Sequence, residues 1–171
     1  MTNTALEALP SGQIIGTASG TGTIAASMLR VGVTDASSAA AGIVGEIISA
    51  SVASGSAVSL TNGQSKDFIR LPLTKGAWDI YAVAMLTGGA ALTSLTNPFV
   101  FIGTATGNNT TGQNTAMNTA YPIVPSTAQT NISCIINWHV DISSDTNYYL
   151  KSFVDTINVS AFGTIWARRM R

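Results

Sequence analysis

The sequence predicts an all-β domain, an antiparallel sandwich or barrel, preceded by an extended N-terminal arm. Three observations carry this. Residues 132–142 (ISCIINWHVDI) and 78–86 (WDIYAVAML) alternate with a period of two. That period sets successive side chains on opposite faces of a strand, whereas a helix would scatter the apolar residues around its circumference. Short turn signals built on Gly, Asn and Thr recur between apolar runs, as in a chain of hairpins. Charged residues make up only 9% of the 171 residues, against roughly 25% in ordinary soluble domains. The surface must therefore be covered by Ser, Thr, Asn, Gln, Gly and Ala, or by another chain.

In chain order, residues 1–38 read as the arm. Their apolar residues come in isolated patches, Ile14 and Ile15, then Ile24, then Met28 and Leu29. That is too little hydrophobic mass for a core, and it suits docking on another surface; a flexible linker is the other reading. Residues 39–171 form the head domain. Its first strand is read over 44–52. A helix with Asp35 as N-cap is the alternative for DASSAAAGIVGEIISASV, disfavoured by two internal glycines and several serines. Strands follow at 57–60, 68–73, 78–86, 98–102, 132–142, 148–155 and 157–169. The turn signals are TNG at 61–63, TKG at 74–76, TGG at 87–89 and SSDTN at 143–147. Strand 78–86 is largely apolar on both sides, with Trp78, Ile80 and Leu86 on one and Tyr81, Val83 and Met85 on the other, so both faces are expected to be covered. Strand 132–142 is half-buried, with Ser133, Ile135, Asn137, His139 and Asp141 on its outer side. Trp78, Trp138 and Trp166 read as buried anchors. The stretch 103–129 is long, polar and dense in Asn, Thr and Gly, and loops of that length are usually functional or disordered. Asn108, Asn109, Asn114 and Tyr121 offer the amides and ring that hydrogen-bond and stack on sugars; a solvated loop or a subunit contact is the plainer reading.

Several function classes are excluded by composition. Net charge is zero, so nothing global draws the chain to nucleic acid or to an anionic membrane. The most apolar run, AAAGIVGEIISASVA, is interrupted by Glu46 and falls short of the ~18 residues of a membrane span. MTNTALEALPSGQ lacks the basic and apolar regions of a secretory signal, so cytoplasmic synthesis is expected. One cysteine, Cys134, allows no internal disulfide, and one Cys with one His, His139, makes no structural zinc site without carboxylate help. No phosphate loop is present, and no metal or cofactor is expected. Asn-x-Ser/Thr triplets at Asn109, Asn131 and Asn158 are by-products of the composition. His139 and Asp141 could orient Ser133 or Ser143 as a nucleophile, but in a strand they are the polar side of an alternating pattern, and no GxSxG elbow exists. Asp141 and Asp145 are weak candidates for paired glycosidase carboxylates, given only eight dispersed acids. No enzyme activity is expected.

The ending, GTIWARRMR, places arginine at three of the last four positions. A nucleic-acid tail would lack apolar period, and three phosphate contacts would give a salt slope of only about −2.7. Here Phe162, Thr164, Trp166, Arg168 and Met170 share one face, and Ile165, Ala167, Arg169 and Arg171 the other. The segment reads as a closing strand. Arg168, Arg169 and Arg171 are expected to meet carboxylates or carbonyls within the domain or across a trimer, where a planar fork suits fixed partners.

Taken in order, several segments resemble a domain of tailed-bacteriophage structural proteins, the head domain of phage fibres and spikes. AAAGIVGEIISASV carries its G-x-x-G-E segment at Gly42, Gly45 and Glu46. SAVSLTNGQSKDFIRLPLTKGAWDIYAV carries its A-V-S-L-T-x-G and L-x-L-T-x-G-x-W-D segments, through Gly63, Leu71, Leu73, Thr74, Gly76, Trp78 and Asp79. SAFGTIWARRMR carries its A-R-R ending. The stretch 98–129 matches nothing in that pattern. The N-terminal ALPSGQIIGTASGTGTIA is similar to a phage-fibre shaft segment, with shortened spacing. The resemblance implies a C1q/TNF-like jelly-roll head that forms a homotrimer. It further implies a short fibre, spike or capsid-decoration protein in the virion, anchored to a capsid or tail protein by its arm and contacting host surface glycans. A stand-alone carbohydrate-binding module of C1q-like type is the alternative.

Overall fold

The computed structural model describes residues 38–95, 98–107 and 131–170, together with 7–8, 14–15 and 117–120. Within the segment read as an extended arm, Glu7–Ala8 (β1) pairs antiparallel with Ile14–Ile15 (β2). Ile24, Met28 and Leu29 lie outside the described residues.

The head begins with a turn over 41–45, where Gly42 (φ 81°) and Gly45 (φ 92°) take left-handed conformations open to glycine. The first head strand is therefore Ile47–Val52 (β3), shorter than the 44–52 expected, and no helix forms among the described residues of this segment. A 3₁₀ turn, Ser54–Ser56, leads to Val58–Ser59 (β4), Gln64–Leu73 (β5) and Gly76–Thr87 (β6). A second 3₁₀ segment, Gly89–Ser94, precedes Phe99–Gly103 (β7). Then come Met117–Ala120 (β8), Asn131–Ile142 (β9), Thr146–Val154 (β10) and Ser160–Arg169 (β11). The last strand starts three residues later than expected because Asn158 stands in the left-handed region (φ 61°) and ends the preceding turn. β8 divides the stretch 103–129 that reads as one loop.

Two antiparallel sheets result. One has the order β3-β11-β6-β9, with β4 also on β11; the other has the order β5-β10-β7-β8. Buried residues from both sheets form one hydrophobic cluster, including Leu71, Leu73, Trp78, Ile80, Val100, Leu150 and Ile165. Such an arrangement is compatible with a β-sandwich. Each large apolar side chain so buried contributes roughly 1.5–3 kcal/mol. The pairing registers also sort the connections. Residues 38–46, the Thr74–Lys75 turn, the exit from β7 at Gly103 and the turn after Ile142 lie at one end, here called proximal. The turns 53–63 and 155–159 and residues 88–95 lie at the distal end.

Gly163 is the tightest point of the first sheet. Its φ is 151°, and a Cβ there would lie 2.1 Å from the carbonyl oxygen of Val83 on β6. Both the conformation and the space exclude a side chain. Gly163→Ala is expected to destabilise the domain by about 2–4 kcal/mol, read as a lowered denaturant midpoint; an unchanged midpoint would show that β11 and β6 do not approach this closely.

Candidate interaction face and the buried networks behind it

β6 and β11 each have two apolar sides, and only one side of each can face the core. On β11 the core takes small residues, Ala161, Gly163 and Ala167, with Ile165. The aromatic side chains Phe162 and Trp166 are left on the outer face. Trp166, expected as a core anchor, is therefore half-buried on the outside, whereas Trp78 is fully buried and Trp138 packs edge-on against Tyr148 in the core. Pairing lines up Ser49, Trp166, Tyr81 and Asn137 in one cross-strand row, and Ser51, Thr164, Val83 and Ile135 in the next. Trp166 and Tyr81 stack at 5.8 Å with 17° between their planes. Their ring faces are thus turned on each other rather than outward, which does not suit a flat platform for sugar. Ile135 is 72% exposed on β9, the edge strand of this sheet, and Tyr81 is 38% exposed on the neighbouring β6. Exposed apolar side chains clustered in this way make the face a candidate interaction surface.

One end of the face is polar. The row there is Ile47, Arg168, Asp79 and His139. His139 Nδ1–H donates to Asp79 Oδ1 at 2.6 Å, since an ionised carboxylate can only accept, and His139 Nε2 lies 3.9 Å from Asp141 Oδ2. A shallow cleft of about 330 Å³ runs over Asp79, Tyr81, Asn137 and His139. Ser133 is six residues from His139 along one strand, roughly 20 Å at strand rise, so it cannot receive that imidazole as a base. Asp145 Oδ1 accepts the Lys75 N–H at 3.0 Å and is engaged in a turn.

Behind the polar row, three of the four motifs of the head-domain resemblance, G-x-x-G-E, L-x-L-T-x-G-x-W-D and A-R-R, meet in one buried network. The Arg169 guanidinium donates through Nε to Glu46 Oε2 and through Nη1 to the Lys75 carbonyl, each at 2.8 Å, and through Nη2 to Thr74 Oγ1. Its plane lies 4.2 Å from the Trp78 ring centroid. Glu46 Oε2 also accepts the Gly42 N–H at 2.7 Å. Backbone bonds bind the same strands: Arg169 N–H to Glu46 C=O and Gly45 N–H to Arg169 C=O, both 2.9 Å. Trp78 Nε1–H donates to the Thr74 carbonyl at 2.8 Å. Both charged side chains are buried. Arg168 is exposed on the outer face, and Arg171 lies outside the described residues.

The second sheet carries a different device. Lys151 is fully buried on β10, with Nζ 2.9 Å from Asp67 Oδ1 in a contact not angled as a hydrogen bond. Nζ donates to the carbonyls of Ala105 (3.0 Å) and Gly107 (3.2 Å), and Asp67 Oδ2 accepts the Gly107 N–H at 3.0 Å. Phe101 lies 5.5 Å from Nζ, and Phe99 stacks on Phe153 at 4.8 Å nearby. No sequence signal marks this lysine as buried; only its place in a strand pattern of otherwise apolar and aromatic residues hints at it. The connection that leaves at Gly107 contains Asn108, Asn109 and Asn114, which lie outside the described residues, as does Tyr121 after β8. Its two flanks, Gly103 and Met117, pair with each other at the proximal side of the sheet.

Cys134 is buried, and desolvation pushes its thiol upward and away from reactivity. Burial likewise raises the Tyr148 phenol. Among the described residues no group of three or more His, Cys, Asp or Glu side chains is arranged to hold a metal ion, and no helix is long and apolar enough to cross a membrane. Compared with known proteins, the chain matches no family model and no curated protein.

Proposed function

We propose that the chain is a non-enzymatic structural subunit of a phage virion, a homotrimer of jelly-roll heads held on a capsid or tail protein through residues 1–38. The observation that carries the assembly is the outer face of the β3-β11-β6-β9 sheet, where Trp166, Tyr81, Val83 and Ile135 are gathered among the uncharged Ser49, Ser51, Thr164 and Asn137. A second copy is the occupant that fits it. The chain is neutral overall, so copies do not repel. The polar end of the face holds both signs, Arg168 beside Asp79, so two copies can place unlike charges together. Cyclic symmetry then closes the assembly. The strand order supports the jelly roll, because successive strands from β5 to β11 cross between the sheets at every step except β7 to β8. The virion assignment rests on the motif resemblance, three of whose four segments meet around Arg169.

In this reading the arm enters at the proximal end, so the distal turns face away from the particle. Contact with host glycans falls to that end, where a cleft of about 410 Å³ is lined by Ser59, Thr61, Asn62, Asn158 and Ser160 without a charged side chain. The connection holding Asn108, Asn109 and Asn114 starts on the side of the anchor. Many weak contacts on one particle add through effective concentration.

The test is the molar mass of the full chain at micromolar concentration by sedimentation equilibrium. A trimer is expected, and Ile135→Arg, which sets a charge in a desolvated contact, should weaken it at least ~100-fold while leaving the far-ultraviolet spectrum unchanged. A stable wild-type monomer, or a trimer indifferent to Ile135→Arg, would overturn the assignment of this face.

A further inference from the structure

We infer that His139 makes assembly of this protein proton-dependent, with copies binding more tightly at pH 5.5 than at pH 8; the inference rests on the outer face of the β3-β11-β6-β9 sheet being covered by a second copy. The chemistry lies in the two nitrogens of one ring. Nδ1 spends its proton on Asp79, at 2.6 Å. In neutral imidazole Nε2 is then an acceptor, and it lies 3.9 Å from another acceptor, the Asp141 carboxylate. Only the imidazolium has a second N–H to offer, and only that form can serve Asp79 and Asp141 together.

In the separate chain this mismatch costs little. His139 and Asp141 are each more than half exposed, and water takes the place of the missing donor. Once a second copy covers the row, water is excluded, and a lone pair facing a carboxylate becomes an unpaired polar group in an interface. Closing the interface over neutral His139 is therefore penalised more than closing it over the imidazolium, whose charge is matched by the two carboxylates beside it. The groups that surround the ring support the same sign. From β6 it faces Asp79, with Tyr81 one pair further along. From β9 itself it faces Asp141. Arg168 on β11 stands beyond Asp79 in the same row, and Lys75 shares a cleft with Asp141 at the start of β6. The two nearest charges are both negative, and the two cations are further away. By linkage, a state that binds a proton more tightly when assembled gains assembly as pH falls. Histidine is the side chain whose ordinary charge change lies between pH 5 and 8, and this chain has one, so any histidine-dependent response is assigned to it without ambiguity.

The experiment follows dissociation of the full chain on dilution, and exchange of subunits between differently labelled copies, at pH 5.5, 6.5 and 8.0 and constant ionic strength. Dissociation and exchange are expected to be at least about tenfold greater at pH 8.0 than at 5.5, the factor that one unit of pKa difference gives. His139→Gln, which keeps a donor but no charge, should still assemble and lose the pH response. Asp141→Asn, which gives Nε2 an amide in place of a carboxylate, should reduce the response. An oligomer whose dissociation and exchange do not change over this range overturns the inference, as does a response that survives in His139→Gln. A chain that is monomeric at every pH overturns the covered face itself and the inference with it, an outcome distinct from a pH-independent oligomer.

Discussion

Glu46→Ala is expected to cost the head domain about 3–5 kcal/mol, the penalty for leaving one member of a buried ion pair without its partner. For a domain of this size that is a fall of roughly 10 °C or more in Tm. The guanidinium of Arg169 would remain packed on Trp78 with two of its donors still engaged, so it could not swing out to water without opening the core. The loss would not be confined to charge. Glu46 also holds the Gly42 N–H, and the backbone of residues 45–46 is bonded to Arg169. The turn carrying the arm into the head should therefore loosen together with the end of β11. Arg169→Met is expected to be milder, by about 1–2 kcal/mol, because Met keeps much of the packing on Trp78 and the Glu46 carboxylate keeps the Gly42 N–H as a donor. The double variant Glu46→Leu with Arg169→Met should recover a large part of the Glu46→Ala loss, since no charge is then left buried. Thermal and denaturant unfolding of the three variants decides it. Equal stability of Glu46→Ala and the wild type would show that the pair contributes only what an exposed ion pair does.

The network shows what could be read from sequence and what could not. The ending reads as a strand because Ile165, Ala167 and Arg169 share one side, and β11 does run to Arg169. The partner of Arg169 was not legible, because Glu46 is 123 positions away and nothing local marks it, beyond being a charged residue set in an apolar stretch of a chain with few charges. The long strands were legible for a plain reason: the 132–142 alternation is broken only at Ile135, and β9 starts one residue before it and ends with it. The boundaries that moved, at 44–46 and 157–159, are those where backbone conformation at Gly42, Gly45 and Asn158 overrides an apolar pattern that would otherwise continue. β8 was hidden because Met-Asn-Thr-Ala has no alternation to see. For the candidate face, period two separates the sides of a strand but does not say which side is inward when both are apolar. On β11 size decided it: the small residues went to the core, where Gly163 lets β6 approach, and Phe162 and Trp166 went outside.

Asp67→Ala is the second change with a large expected effect, about 3–4 kcal/mol of stability, and it should exceed that of Lys151→Met by at least about 1–2 kcal/mol. The asymmetry follows from where the two charges sit. Lys151 is fully enclosed, while the Asp67 side chain keeps 23% of its surface in water. Removing the carboxylate strands an ammonium with two carbonyls, of Ala105 and Gly107, as its remaining partners. It also frees the Gly107 N–H. Removing the ammonium instead leaves a carboxylate whose Oδ2 still accepts that N–H and whose side chain keeps part of its surface in water although Oδ1 is buried, and Met fills the space of the lysine stem beside Phe101. Both variants release the first turn after β7, so amide exchange at 104–107 should rise in each even where global stability differs. Hydrogen exchange by mass spectrometry separates the two effects. Faster exchange at 104–107 in Lys151→Met, with most of the global stability retained, would identify Lys151 as the pin of that connection. Exchange unchanged there in both variants would mean that the turn is held by its backbone, and that the buried lysine serves only the packing of β10 against β5 and β7.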